Sequence, residues 1–98
     1  MSVVMMMRWE GISLDQYERT REHVSSEVET PDGALLHIAA HDGEALRVTE
    51  VWESAQQFQT FAKQHLMPGV AELSLPGEPQ IEIYPVHAIF TPEYTTAS

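Results

Sequence analysis

The chain has no cysteine in its 98 residues. Disulfides, thiolate nucleophiles and thiolate metal sites are therefore excluded, which fits a reducing cytoplasm as the expected location. Basic residues are also scarce: five Lys and Arg stand against fifteen Asp and Glu, a formal charge of −10. Such a surface repels phosphate, so neither nucleic acid nor an anionic membrane is an expected partner. The acidic residues are spread along the chain, the pattern of a solvated surface. No apolar run approaches the roughly 20 residues that a membrane-spanning helix needs. The run Val3-Val4-Met5-Met6-Met7 is followed by Arg8 rather than preceded by basic residues, so it lacks a signal peptide's layout and reads as a strand. Glycine-rich phosphate loops, nucleophile elbows and basic stripes are also missing.

What is present is an ordered alternation of periods. A hydrophobic content of 43% with three Phe, three Tyr and two Trp suits one packed domain over residues 1–98. A first strand is expected from about Val3 to Glu10. Ser13 then caps a helix with Gln16 in the capping-box position, and Leu14, Tyr17, Val24 and Val28 form its apolar stripe, interrupted by Thr20 and Arg21. Strands follow from Ala34 to His41 and from Leu46 to Glu53, with Asp42-Gly43 as a hairpin signal between them. Ser54 and Gln57 repeat the capping device before Phe58, Phe61, Ala62, His65 and Leu66, and Pro68-Gly69 is expected to disrupt this second helix, with Val70, Ala71 and Leu73 open to another short turn before Pro76-Gly77. A last strand is placed at Gln80 to Phe90, with Pro85 requiring an edge or a bulge, and Thr91 to Ser98 reads as a polar tail.

This is a ferredoxin-like βαββαβ order: an α+β domain with a four-stranded antiparallel sheet and two helices on one face. The other face carries too much apolar material to stand in water, so a homodimer joined through it is expected.

The candidate chemistry lies on the middle hairpin. Leu35, His37, Ala39 and His41 share one face of their strand, and Leu46, Val48, Glu50 and Trp52 share one face of the next. A two-residue loop sets His37 opposite Val48 and diagonal to Glu50. A four-residue loop sets it directly opposite Glu50, and a three-residue loop separates the two sets. In the first two cases His37, Glu50 and Trp52 form a polar–aromatic cluster. A carboxylate beside an imidazole orients the ring and stabilises its protonated form, as a general base requires. A structural His–Glu pair that satisfies two half-buried groups is the alternative, and both readings stand. His37 and His41 are on the order of 13 Å apart along a strand, too far to share one ion, so no metal is expected. His65 shares a helical stripe with Phe61 and either faces a pocket or bonds a carbonyl in the core. His87 either joins the cluster or points to solvent. Tyr84 is read as packing, and His23 as a solvated residue.

The segment Val48-Thr49-Glu50-Val51-Trp52-Glu53-Ser54, followed by Phe58 and Phe61, resembles the strand-to-helix junction of antibiotic biosynthesis monooxygenase-like members of the dimeric α/β-barrel superfamily. The likeness extends more loosely from about Met5 to Phe90. It implies a homodimer whose sheets build a barrel, each subunit holding a small pocket between sheet and helices. Some members are cofactor-independent oxygenases of polycyclic phenols, and some degrade haem. The haem-degrading set is an Asn on the first strand, a Trp on the third and a His on the second helix. Only Trp52 matches it by position, because the first strand has no Asn and His65 lies farther past the Trp. The His that quinone-forming members place early in the second helix is also missing, its neighbourhood being occupied by Phe61 and Ala62.

The expected function is a monooxygenase without a cofactor, or a related enzyme, for a small apolar, aromatic or polyketide-like molecule. His37 is the expected base and Glu50 its orienting partner, with Trp52, Phe61, His65 and His87 lining the substrate site. A non-catalytic ligand-binding or dimeric stress-type protein is the alternative reading, and haem binding is a third.

Overall fold

Alternation along the first strand decides the architecture. In the computed structural model, which describes residues 1–92, Val3, Met5, Met7 and Trp9 of β1 (Val3–Glu10) are buried while Met6 and Glu10 are exposed. One face of a central strand is thus committed to the core. β1 pairs antiparallel with β3 (Ala45–Trp52) on one side and with β4 (Gln80–Pro85) on the other. β2 (Ala34–His41) adds to β3, giving the order β2-β3-β1-β4 expected for the ferredoxin-like fold. The tail expected beyond Thr91 lies, from residue 93 onward, outside the described residues.

Helix α1 (Leu14–Glu27) begins as the sequence predicts. Gln16 N donates to Ser13 Oγ at 3.1 Å and Ser13 N donates to Gln16 Oε1 at 2.8 Å, a complete capping box worth about 1 kcal/mol. Its buried stripe differs from the expected one. Leu14 is exposed, whereas Thr20 is buried because its hydroxyl donates to the Gln16 carbonyl at 2.8 Å and so leaves no polar atom unpaired.

The second helix is not disrupted at Pro68. It runs as α2 (Ala55–Phe61), a π-turn (Ala62–Leu66) and α3 (Met67–Glu72), with Pro68 at the start of α3. A proline lacks the N–H that the preceding turn would use, and the wide turn ahead of it removes that demand. The turn also has a packing effect. Residues five apart on an α-helix lie about 140° apart around the axis; widening the turn brings Phe61 and Leu66 to the same side, against the sheet. The Ser54 cap is only half of a box: its hydroxyl accepts from Gln57 N at 3.2 Å, and the Gln57 side chain accepts from that hydroxyl instead of reaching the backbone.

The core lies between the sheet and these helices, where Met5, Met7, Trp9, Val48, Trp52 and Phe58 are buried. The largest of its side chains keep polar partners: Trp9 Nε1 donates to the Pro76 carbonyl at 2.7 Å. β4 is shorter than expected and stops at Pro85, an edge position where a missing donor is harmless.

The β2–β3 hairpin settles the register. His41 pairs with Leu46 and His37 with Glu50, the register expected of a four-residue loop, reached here by a turn whose two central residues are Gly43 and Glu44. Gly43, at φ 98°, takes the first central position of the turn, and Asp42 N donates to the Ala45 carbonyl at 3.1 Å. Asp42 stands at the start of the turn because its Oδ1 accepts from Glu44 N and Ala45 N, both at 2.9 Å, while Oδ2 accepts from Arg47 Nε at 2.7 Å. Leu35 does not share a face with His37 in regular alternation; it is the extra residue of a bulge between Ala34 and Leu36. The bulge lets Ala34 and His37, three residues apart, both face the helices.

Hydrogen bonds from Arg47, then from the Ala45 and Glu44 amides, hold the Asp42 carboxyl well below its ordinary value of 3.8. A carboxyl depressed on folding stabilises the fold above its unfolded value, and that contribution is lost as pH falls below it. Asp42→Asn is therefore expected to unfold more easily than the parent at neutral pH, with the difference shrinking as pH drops below about 4. Urea titrations of both proteins across that range check this; a gap that stays constant down to about pH 2 would contradict it.

Candidate functional site

Glu50 and His37 face each other across the β2–β3 pair on the helix side of the sheet. Glu50 Oε2 lies 2.5 Å from His37 Nδ1, and Glu50 Oε1 accepts the Trp52 Nε1–H at 2.9 Å. A carboxylate only accepts, so His37 carries a proton on Nδ1. In the neutral ring, Nε2 is then an acceptor, and the Tyr17 hydroxyl donates to it at 2.7 Å. The Tyr17 and His37 rings lie within 9° of parallel, with centroids 6.1 Å apart. Four residues from three elements thus form one hydrogen-bonded chain, Tyr17–His37–Glu50–Trp52.

The inner end of this chain is the rigid one. Trp52 is buried, with its indole 5.6 Å from the Phe58 ring and 5.4 Å from the Phe61 ring. An unpaired indole N–H there would cost about 1–3 kcal/mol. An exposed ion pair is worth at most about 1 kcal/mol. Glu50, whose side chain is 13% exposed, is therefore held by Trp52 more than by His37, whose side chain is 43% exposed.

A cavity of about 580 Å³ opens between α1 and the sheet. Its wall is largely apolar, with Met7, Ile12, Leu46, Val48 and Leu66 among its residues, and Tyr17, His37 and Glu50 supply a polar edge. Burial pushes the Tyr17 phenol above its usual range; Arg21 pulls the other way, and the charges of Glu18 and Glu50 add to the rise. Tyr17 is consequently a neutral hydroxyl at physiological pH.

The structure brings together four of the expected site residues, His37, Glu50, Trp52 and Phe61, and all four line this cavity. His65 does not line it and lies instead in a smaller depression of about 330 Å³ that shares Phe61 with the cavity. Its ring stacks obliquely on Phe61 at 5.9 Å, and its Nδ1 meets the Glu27 carboxylate at 2.9 Å instead of a carbonyl. His87 follows the end of β4, is exposed and does not line the cavity. His23 is not simply solvated: it is half-buried beneath Gly69, with Nε2 3.7 Å from Glu27 and 3.5 Å from Glu72. Tyr17 is the member of this hydrogen-bonded chain that sequence reasoning places only on an apolar stripe. Its hydroxyl's partner lies 20 positions away across a layer, and no local spacing reveals it. Among the described residues, no three His, Asp or Glu side chains converge to hold a metal ion, and no helix is long and apolar enough to cross a membrane.

No family model matches the chain, and no curated protein matches it in sequence. Solved structures do match. SnoaB from Streptomyces nogalater, a cofactor-independent oxygenase, superposes with a TM-score of 0.69 at 13% identity, over 94% of this chain and 98% of that one. Rv0793 from Mycobacterium tuberculosis matches at 0.69 and 12% identity, over 93% and 100% of the two chains. A candidate antibiotic biosynthesis monooxygenase from Deinococcus radiodurans matches at 0.64 and 15% identity, over 93% and 97%. The chain therefore has the fold of the antibiotic biosynthesis monooxygenase-like proteins, and identities this low speak for the fold alone.

The chain of hydrogen bonds yields a test of its own wiring. Glu50→Gln offers one acceptor oxygen to two donors. If that oxygen stays with the core indole, its amide N–H faces His37 and the imidazole proton moves from Nδ1 to Nε2. Nitrogen-15 NMR of the histidine rings should report this change of tautomer, with a stability loss of about 1–3 kcal/mol. A His37 spectrum identical to the parent's would refute the arrangement.

Proposed function

We propose that the chain is a homodimeric, cofactor-independent monooxygenase acting on a small aromatic molecule with an acidic hydroxyl or enol. One observation carries this reading: a carboxylate-backed histidine, still reachable from solvent, stands at the polar edge of a largely apolar cavity of about 580 Å³. That volume lies within the range of sites for small organic ligands. The likeness to SnoaB supports the same reading.

The chemistry asks little of the protein beyond a proton transfer. Taking a proton from an anthrone or its enol leaves an electron-rich anion, which gives an electron to O₂. The resulting radical pair joins as a peroxide anion on the ring carbon, which takes the proton back from His37 to become a hydroperoxide, and loss of water leaves a ketone. The methylene loses two hydrogens, one oxygen atom becomes the carbonyl, and the other departs as water. His37 holds the abstracted proton as an imidazolium against the Glu50 carboxylate. Trp52 and Phe61 cover the flat anion from the core side.

The opposite sheet face supports the homodimer. Leu36, Val51, Val4 and Tyr84 lie in one row across the four strands, and Ile38, Thr49, Met6 and Glu82 lie in the next. Ile38 is 53% exposed, Tyr84 49% and Met6 47%, a concentration of apolar side chains that water does not favour. A second copy of the face covers it.

One observation favours a second reading. His37 Nε2 is already occupied by Tyr17, and among the described residues no buried side-chain polar atom lacks a partner. A protein that only binds a ligand would satisfy its polar groups in the same way.

One experiment tests the dimer and a second separates the two readings. In sedimentation, the chain is expected at twice its 11.1 kDa mass, and Ile38→Lys is expected to shift it to a single copy; a parent that runs as a monomer at micromolar concentration removes the dimer. Oxygen uptake with 1,8-dihydroxyanthrone is expected to fall by about 10²–10⁴-fold in His37→Ala. Undiminished turnover in that variant would take His37 out of the mechanism.

A further inference from the structure

We infer that Tyr17 is the group that meets the substrate hydroxyl, accepting its proton while passing its own to His37. The inference rests on the oxygenase reading above and specifies how the site would begin the reaction.

The geometry leaves His37 one free direction. Nδ1 is committed to Glu50, so only Nε2 can take a proton from outside, and Tyr17 Oη covers Nε2 at 2.7 Å. A substrate that reached Nε2 directly would first have to displace Tyr17. That residue is anchored: it is half-buried, packs on the core cluster, and donates its backbone N–H to the Ser13 carbonyl at 2.9 Å in the capped first turn of α1. A relay requires no such movement. The phenolic oxygen donates one hydrogen bond and still has a lone pair with which to accept another. Both Tyr17 and His37 line the cavity, and the relay requires that lone pair to face the bound molecule.

The transfer balances without any further reagent. The substrate O–H bond breaks and its proton joins Tyr17 Oη; the original Tyr17 O–H bond breaks and that proton joins His37 Nε2. The bonding pair stays on the substrate oxygen. Tyr17 is neutral before and after, so a half-buried site never has to hold a tyrosinate, which its surroundings disfavour. The positive charge ends on the imidazolium, 2.5 Å from Glu50, whose other oxygen is fixed by Trp52. The negative charge ends on the substrate in a cavity that Arg21 lines, together with Glu18 and Glu29. Because Tyr17 is unchanged overall, the balance is set by the substrate hydroxyl against an imidazolium: the step is uphill, least so for an acidic phenol or a stable enol and strongly so for an aliphatic alcohol. That balance favours an acidic hydroxyl as the substrate group.

The proton step can be observed apart from the oxidation. Under argon, 1,8-dihydroxyanthrone mixed with the protein in a stopped-flow spectrometer is expected to form its coloured anion. Tyr17→Phe, which keeps the ring and its packing, is expected to slow that step at least about 10²-fold, as does His37→Ala, and the double variant should be no slower than either single one. Difluorotyrosine at position 17, which restores the hydroxyl in the same shape, should restore the anion and show that Tyr17→Phe failed through chemistry and not folding. Anion formation in Tyr17→Phe at or above the parent rate would overturn the relay, a faster rate meaning that the phenol merely blocked His37. A parent that forms no anion also overturns it. A parent that ionises the anthrone but consumes no oxygen when air is admitted refutes the oxygenase reading and leaves the relay standing.

Discussion

Glu50 is asked to satisfy two donors at once, and the site depends on that double duty. One oxygen accepts from the indole of Trp52, which the packing of Phe58 and Phe61 holds in place. The other accepts from His37, which reaches solvent. The core thereby fixes the position of a carboxylate, and the carboxylate fixes the tautomer and direction of an imidazole. A buried indole and a solvent-reaching imidazole are linked through one functional group. The strong half of the linkage is the buried one, because an unpaired indole N–H in the core costs more than an exposed ion pair returns.

Much of this is legible in the chain, for reasons that differ by element. The apolar run Val3 to Met7 reads as a strand, but its central place and buried face are not legible, because Val4 and Met6 on the opposite face are apolar too. Ser13 and Gln16 mark a helix start because the capping box is a local device. The pairing of His37 with Glu50 is visible only as one of three outcomes. Asp42-Gly43 signals a turn without stating its length, and the side-chain bonds of Asp42 to Glu44, Ala45 and Arg47 decide it. Tyr17 is visible as an apolar-stripe residue and invisible as a hydrogen-bond donor, because its partner lies in another layer. The true place of His23, between Glu27 and Glu72, is hidden for the same reason. The continuity of the second helix through Pro68 is not legible, because proline opposes an ordinary α-helix and the chain inserts a wider turn.

The similarity to SnoaB, Rv0793 and the Deinococcus radiodurans protein spans nearly whole chains at 12–15% identity. Such a fold survives wholesale replacement because its requirements are patterns: alternating strands, two capped helices and a crossover of fixed hand. The site has no such tolerance. Its four-residue chain needs particular atoms at particular distances, drawn from α1, β2 and β3. A frame of this kind can keep its outline while exchanging the chemistry in its cavity, so activity follows from the side chains and not from the outline.

The wide turn at Ala62–Leu66 carries a consequence of another kind. A helix built only of ordinary turns changes which residues face inward by about 100° for every residue gained or lost. Here one surplus residue is absorbed locally, so that Phe61 and Leu66 both point at the hollow beneath them. Side-chain replacement can enlarge or narrow that hollow by a methyl group at a time. Which residues face it, by contrast, is written into the count of residues along the helix, and an insertion or deletion would turn a different side chain inward.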